Sequence, residues 1–212
     1  MGKGNVWVDL AGEGGVPLFK KFAMFDSGFV PAERTCRDAA LFRRCRISSL
    51  RMDLFIGEPA AEFGSMVEET PEGIHYSWEK ADRFVKVLEE NGVSPYFSWC
   101  YVPLPVQPEG GNFRSVPVDW EKYREIMKDF AAHFKQMGSP LGYQEIYNEP
   151  VNPGAFFDGT PEDYHTLYEY GALGIRDGDL EALVGGPAEA FVLPPSECRD
   201  NASRFLDYIQ RK

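Results

Sequence analysis

Apolar and polar positions along this chain switch between two rhythms. Stretches of period two predict strands, and stretches with apolar residues three and four apart predict helices. Val6 to Leu10 alternates and reads as a short edge strand, which Gly12, Gly14, Gly15 and Pro17 then break. Lys21 to Asp26 is an apolar run that predicts the first core strand. Ala32 to Arg46 carries Cys36, Ala39, Ala40, Phe42 and Cys45 at roughly helical spacing. Ser49 to Phe55 alternates as a strand and is ended by Gly57 and Pro59. Glu58 to Gly73 reads as a polar loop.

The second half of the chain repeats the pattern. Ser77 is expected to cap a helix that runs to Asn91, with Trp78, Ala81, Phe84, Val85 and Leu88 on one stripe. Asn91-Gly92 stops it. Ser94 to Val102 is the next strand, closed by Pro103 and Pro105. Asp119 caps a longer helix that turns Tyr123, Ile126, Met127, Phe130 and Phe134 inward and stops at Gly138. Tyr143 to Asn148 is a strand. Thr160-Pro161-Glu162-Asp163 is a helix start with a cap, a proline at the first position and two acids. That helix ends near Asp177-Gly178. Ala182 to Gly185 is a last strand, and Ser203 to Lys212 a last amphipathic helix.

Strand centres fall near residues 24, 52, 97, 145 and 184, each separated from the next by a helix. Strands alternating with helices at this spacing are parallel, joined by helical crossovers. A doubly wound sheet and an eightfold barrel both satisfy that rhythm. A doubly wound nucleotide fold carries a glycine-rich phosphate loop after its first strand. Here the first strand leads into Asp26-Ser27-Gly28-Phe29-Val30-Pro31. Polar and aromatic residues gather instead at the C-terminal ends of several strands: Asp53, Trp99 with Tyr101, Asn148 with Glu149, and Glu189. A (β/α)8 barrel keeps its active site there, so the expected fold class is α/β, a barrel. Such a barrel takes roughly 250 residues, and five strands already use this chain. The expected organisation is an N-terminal strand and loop over 1–19 and a partial barrel over 20–212, truncated to about strands one to five.

Composition narrows the partners. With 43% hydrophobic residues the 212-residue chain can bury a sizeable core. Lys and Arg number 22 against 33 Asp and Glu, a net charge of −11. That balance argues against nucleic acid and against an anionic membrane surface. No apolar run is long enough to span a bilayer, and none of signal length opens the chain. Cys36, Cys45, Cys100 and Cys198 match no metal spacing, and no metal or cofactor is expected. Cys36 and Cys45 lie too far apart on one helix to bridge. Free, mostly buried thiols fit a reducing cytosol, so the expected location is cytoplasmic. His75, His133 and His165 read as surface or packing residues.

The stretch Gln144-Glu145-Ile146-Tyr147-Asn148-Glu149-Pro150 carries the chemistry. A carboxylic acid at a barrel rim can be tuned by burial and by a second acid to donate a proton to a leaving oxygen. Glu149 is placed for that role. Asn148 can hydrogen-bond a substrate hydroxyl beside the reacting carbon, and Pro150 fixes the turn that presents both. A helix-cap acid or an ion-pair partner is the competing reading of Glu149. Trp99 and Tyr101 can stack on a sugar ring or fill core. Glu145 lies about 13 Å back along the strand and is expected inside the barrel, partnered by Arg51.

Gln144 to Pro150 resembles the strand-four motif of clan A glycoside hydrolases, specifically family 39, the β-xylosidase and α-L-iduronidase group. Leu50-Arg51-Met52 resembles that family's strand two, and Gly92-Val93-Ser94-Pro95 with Tyr101-Val102-Pro103 its strand three. Tyr164 to Tyr168 resembles the helix after strand four, and Val184-Gly185-Gly186-Pro187-Ala188 strand five. The resemblance covers about residues 20 to 212. It implies a retaining glycosidase, in which two carboxyls about 5 Å apart serve as acid/base and nucleophile. Glu149 matches the acid/base and Asn148 its sugar-binding neighbour. The implied nucleophile is a Glu ending strand seven, which this chain lacks. The family's strand two typically carries a His where this chain has Asp53. Arg51, Asp53, Trp99 and Tyr101 complete the expected substrate-binding set.

The expectation is thus a retaining, xylosidase-like glycoside hydrolase acting on O-glycosyl bonds, present as an N-terminal fragment with little activity of its own. The alternative is a non-catalytic half-barrel that binds carbohydrate or associates with itself or a partner chain through open sheet edges.

Overall fold

A computed structural model describes residues 24–28, 32–56, 65–139, 141, 143–151, 156–188 and 195–212. The expected N-terminal strand at Val6 to Leu10, and the whole 1–19 segment, lie outside the described residues. Five strands form one sheet: β1 (Met24–Gly28), β2 (Ser49–Phe55), β5 (Ser94–Cys100), β6 (Tyr143–Ile146) and β7 (Leu183–Gly185). The other two, β3 (Val67–Thr70) and β4 (Gly73–Tyr76), pair with each other. All four pairings of the large sheet are parallel. Helices alternate with its strands: α1 (Ala32–Arg44), α2 (Glu79–Glu90), α3 (Trp120–Gln136), α4 (Pro161–Gly178) and α5 (Pro195–Gln210).

The strands of the large sheet lie side by side in chain order, with no reversal. A doubly wound sheet must reverse once to put helices on both faces. Without a reversal, right-handed crossovers send every helix to the same face. The contacts agree: Phe97 of β5 packs on Phe84 of α2 and Phe134 of α3, and Trp99 stacks on Phe130 of α3 at 5.0 Å. The fold is therefore a partial α/β barrel, as the sequence predicts.

Period two sorts each strand between the faces. Leu50 and Met52, Phe97 and Trp99, and Gln144 and Ile146 turn outward to the helices and are buried. Arg51 and Asp53, Tyr96, Ser98 and Cys100, and Tyr143 and Glu145 turn to the barrel interior. The one polar side chain in this outer set, Gln144, accepts a hydrogen bond from Trp99 Nε1 at 2.8 Å, so its burial leaves no oxygen orphaned.

Helices α3 and α4 approach closely because α4 presents glycines there. A Cβ at Gly174 would meet the Arg124 carbonyl oxygen at 2.3 Å, and one at Gly178 the Lys128 carbonyl oxygen at 2.3 Å. The caps read from sequence at these helices are present. Asp119 accepts from Lys122 N at 2.9 Å, and Thr160 with Asp163 closes a reciprocal capping box at the start of α4.

Four expectations differ. Part of the polar stretch 58–73 is a strand, because β3 pairs antiparallel with β4. Only Val67 of β3 is buried, so its charged positions mask the alternation. Ser77 does not cap α2: Trp78 holds the cap position without a side-chain bond, and the Ser77 N–H donates to the Met66 carbonyl at the open end of the hairpin. Helix α5 starts at Pro195, eight residues before the predicted start. Cys45 is exposed rather than buried. Among the described residues, no helix is long and apolar enough to cross a membrane.

Candidate active site

The C-terminal ends of β2, β5 and β6 meet at one rim, and a single guanidinium organises it. Arg51 of β2 reaches across β5. Its Nη1 lies 2.9 Å from Asp53 Oδ1, and its Nε donates to Glu145 Oε1 at 3.1 Å. Its Nη2 donates to the same Glu145 oxygen at 2.5 Å and to Asn148 Oδ1 at 3.1 Å. Glu145 Oε2 accepts from the Tyr96 hydroxyl at 2.8 Å. The predicted partnership of Glu145 with Arg51 is therefore present, and Glu145 is a buried structural acid.

These bonds settle how Asn148 faces. A guanidinium only donates, so the Asn148 oxygen must point at Arg51. Its amide nitrogen is left to donate on the other side, where the side chain meets the Tyr101 hydroxyl. Burial pushes the Tyr101 and Tyr96 phenols up, with Glu145 adding to the shift at Tyr96. Both stay protonated hydroxyls at neutral pH. Burial, and secondarily Asp53, also holds Cys100 well above the usual thiol range, which removes it as a nucleophile.

Beyond Ile146 the strand kinks. Tyr147 has φ 73° and Glu149 φ 47°, left-handed backbone that residues other than glycine rarely adopt. The surroundings enforce it. Glu149 N donates to the Ala188 carbonyl at 2.8 Å, beyond the end of β7, and the buried Tyr147 hydroxyl donates to the Phe156 carbonyl at 2.8 Å. The kink lifts Glu149 to a half-buried position while Asn148 stays 7% exposed beneath it. Glu149 lies close enough to Tyr101 to bear on its ionisation.

The structure thus gathers Glu149, Asn148, Arg51, Asp53 and Tyr101 at one rim. It does not bring Trp99 there. Trp99 is fully buried on the helix face against Phe130, because it sits one position out of phase with Ser98 and Cys100. Asp53 is 3% exposed and held by Arg51, so it supports the rim rather than lining a cleft. Tyr101 is 1% exposed and lies under Phe113 and Phe156, not beneath an open ligand surface. Arg51 likewise directs its donors at protein partners. Glu189 lies outside the described residues. Sequence reasoning missed Tyr147, Phe113 and Phe156. The available signal was an aromatic set in otherwise Gly- and Pro-rich loops after β5 and β6. Among the described residues no cluster of metal-ligating side chains occurs.

The profile of glycosyl hydrolases family 39 matches residues 36–212. The chain belongs to glycosyl hydrolase family 39. A β-xylosidase of Caldicellulosiruptor saccharolyticus is 28% identical over 150 residues, 64% of this chain and 30% of that protein. Among solved structures, a monomeric β-xylosidase from Caulobacter crescentus CB15 superposes with a TM-score of 0.68 at 19% identity, over 89% of this chain and 38% of that one. A family 39 enzyme from Xanthomonas axonopodis pv. citri superposes with a TM-score of 0.64 at 19% identity, over 85% and 38%. At these identities the superpositions speak for the fold. This family 39 chain spans about a third of the length of the relatives it matches.

Proposed function

We propose that this chain carries the acid/base half of a retaining glycosidase site, acting on a β-linked xyloside. The observation that carries the proposal is Glu149, lifted at the end of β6 beside an Asn148 whose oxygen Arg51 holds and whose amide donor is turned away from the guanidinium. In this reading Glu149 protonates the glycosidic oxygen as that bond breaks, and a second carboxylate attacks the sugar carbon from the opposite face. Glu149 then takes a proton from the water that hydrolyses the glycosyl intermediate. Asn148 donates to a sugar hydroxyl next to the reacting carbon. The names of the matched β-xylosidases support the choice of sugar.

The attacking carboxylate is not supplied by Asp53 or Glu145, since both are buried and tied to Arg51. The 212-residue chain alone is therefore expected to hydrolyse an aryl β-xyloside near the background rate. Ordinary turnover that disappears in Glu149→Gln would overturn that expectation and locate a nucleophile within this chain. The free thiols Cys36, Cys45 and Cys100 support a cytosolic location.

A second reading rests on a separate observation. Tyr143 is 59% exposed and Leu183 55% exposed, and they are register partners on the inner face at the β7 edge. A β-strand edge beside exposed apolar side chains favours association. In this reading the chain works as a half-barrel paired with itself or with another polypeptide. Light scattering checks it: a defined dimer that Leu183→Lys dissociates supports it, and a monomer at all concentrations removes self-pairing.

A further inference from the structure

We infer that Tyr164 is a positioning residue for Glu149: its hydroxyl enters an opening between β6 and β7 and sets the backbone turn that lifts the carboxyl. The consequence for chemistry rests on Glu149 being the proton donor; the turn itself does not.

The opening begins with a missing donor. Glu145 pairs with Gly185, and the ladder resumes only at the bridge between Asn148 and Ala188. In that register Ile146 and Tyr147 stand opposite Gly186 and Pro187. A parallel ladder would give the Ile146 carbonyl an N–H from the residue after Gly186. That residue is Pro187, which has none. A carbonyl left without a donor in a buried seam bears the cost of its lost hydration. Tyr164 supplies the donor, with its hydroxyl 2.9 Å from the Ile146 oxygen.

Gly186 admits that hydroxyl. A Cβ at this position would meet the Tyr164 hydroxyl oxygen at 2.8 Å and the Ile146 carbonyl oxygen at 3.0 Å, and its φ of 132° itself favours glycine. Helix α4 delivers the tyrosine. The capping box at Thr160 and Asp163 fixes where the helix begins, and Tyr164 follows directly, 1% exposed, with its ring 5.7 Å from that of Phe205. One turn on, Tyr168 reaches the Val184 carbonyl of the same seam at 3.4 Å.

Held from the helix side, the Ile146 carbonyl is taken out of the ladder just before the chain turns. Tyr147 then sends its N–H to the Trp99 carbonyl on β5 at 3.3 Å, and Glu149 sends its N–H to Ala188 on the opposite side. In a regular strand, residues two apart direct their N–H groups to the same neighbour. The change of sides coincides with φ of 73° at Tyr147 and 47° at Glu149, and it carries Glu149 out of the strand toward the rim. Pro187 removes the ladder donor, Gly186 leaves the space, and Tyr164 fills both needs from the helix.

The experiment compares the wild-type 212-residue chain with Tyr164→Phe and, as a control from the same seam, Tyr168→Phe. Left-handed backbone brings the HN and Hα of one residue close, so Tyr147 and Glu149 should give strong intraresidue HN–Hα NOEs in the wild type. Tyr164→Phe should lose that pattern, and Tyr168→Phe should keep it. Methyl β-xyloside is then titrated into all three. Its Kd, read from the Asn148 and Glu149 resonances, should rise about tenfold in Tyr164→Phe, the scale of one misplaced hydrogen bond, and stay unchanged in Tyr168→Phe. Should Tyr164→Phe fail to fold, the wild type decides: a protected Tyr164 hydroxyl proton with NOEs to the Gly186 Hα protons supports the proposal, and their absence overturns it. NOEs or a Kd that Tyr164→Phe leaves unchanged, or the same losses in both variants, also overturn it. If the sugar moves no wild-type resonance while the NOE difference holds, the glycosidase reading fails and Tyr164 still sets the corner.

Discussion

The two faces of strand β5 differ in almost every physical respect. Outward, Phe97 and Trp99 pack rings against Phe84, Phe130 and Phe134, and the Trp99 indole N–H donates to the Gln144 side chain. Inward, Tyr96, Ser98 and Cys100 lie among an arginine, two carboxylates and an amide. The outer face gains stability from apolar area and is indifferent to which donor meets which acceptor. The inner face gains position. Every bond of Arg51 restricts where Glu145 and Asn148 can point, and the burial of these charges is tolerable only because they are matched. A strand of seven residues thus divides a stability layer from a chemistry layer with a single backbone.

The largest effect should come from the outer face. Trp99→Ala removes a fully buried ring and orphans the Gln144 amide oxygen, and is expected to cost about 3–5 kcal/mol in urea unfolding. Next comes the inner face, broken from one side. Arg51→Ala leaves Asp53 and Glu145 as buried unpaired acids and should cost about 3 kcal/mol. The combined replacement Arg51→Met, Asp53→Leu, Glu145→Leu should recover most of that loss by the same unfolding measurement. Recovery would mean that this layer exists for geometry. A triple variant as unstable as Arg51→Ala alone would mean that the ion pairs themselves stabilise the fold.

The smallest effect contrasts a matched charge with an unmatched one. His165 on α4 is buried against Tyr208 and Phe205, and burial lowers its affinity for a proton more than Glu162 raises it. The unfolded chain therefore takes up that proton first as pH falls. Its contribution is complete above the usual imidazole value of 6.5 and is lost as acid drives the pH through the lower folded value. Urea midpoints between pH 8 and pH 5 should fall for the wild type and fall less for His165→Phe. An identical pH slope in the two proteins would show that this imidazole takes no part.

Most of the scaffold was legible in the chain because its signals are local. Thr160-Pro161-Glu162-Asp163 places the start of α4 since a cap needs only its next three residues. Gly92 and Gly138 stop helices with positive φ, a property of the glycine itself. The hairpin β3–β4 was not legible, because only Val67 of β3 is buried and the charged residues beside it hide the alternation. At the rim, the motif Asn148-Glu149-Pro150 marked the right corner. Glu145 was assignable as the partner of Arg51 because alternation puts both inside.

Trp99 and Tyr101 show the limit of that reasoning. Two positions apart, they promise one face. Trp99 packs with Phe97, Phe130 and Phe134, while Tyr101 joins Phe113, Tyr147 and Phe156 past the end of the strand. Period two holds only while the strand continues, and β5 ends at Cys100.

By itself the sequence determined the order of the large sheet's strands and of the helices between them, most of their ends, and the family to which the chain belongs, since each depends on residues near one another. Only the tertiary structure decided which way Asn148 faces, that Tyr101 is a floor rather than a platform, and that Phe113 and Phe156 stand above it. Those outcomes depend on side chains from strands and loops far apart in the chain, brought together when the parallel sheet forms.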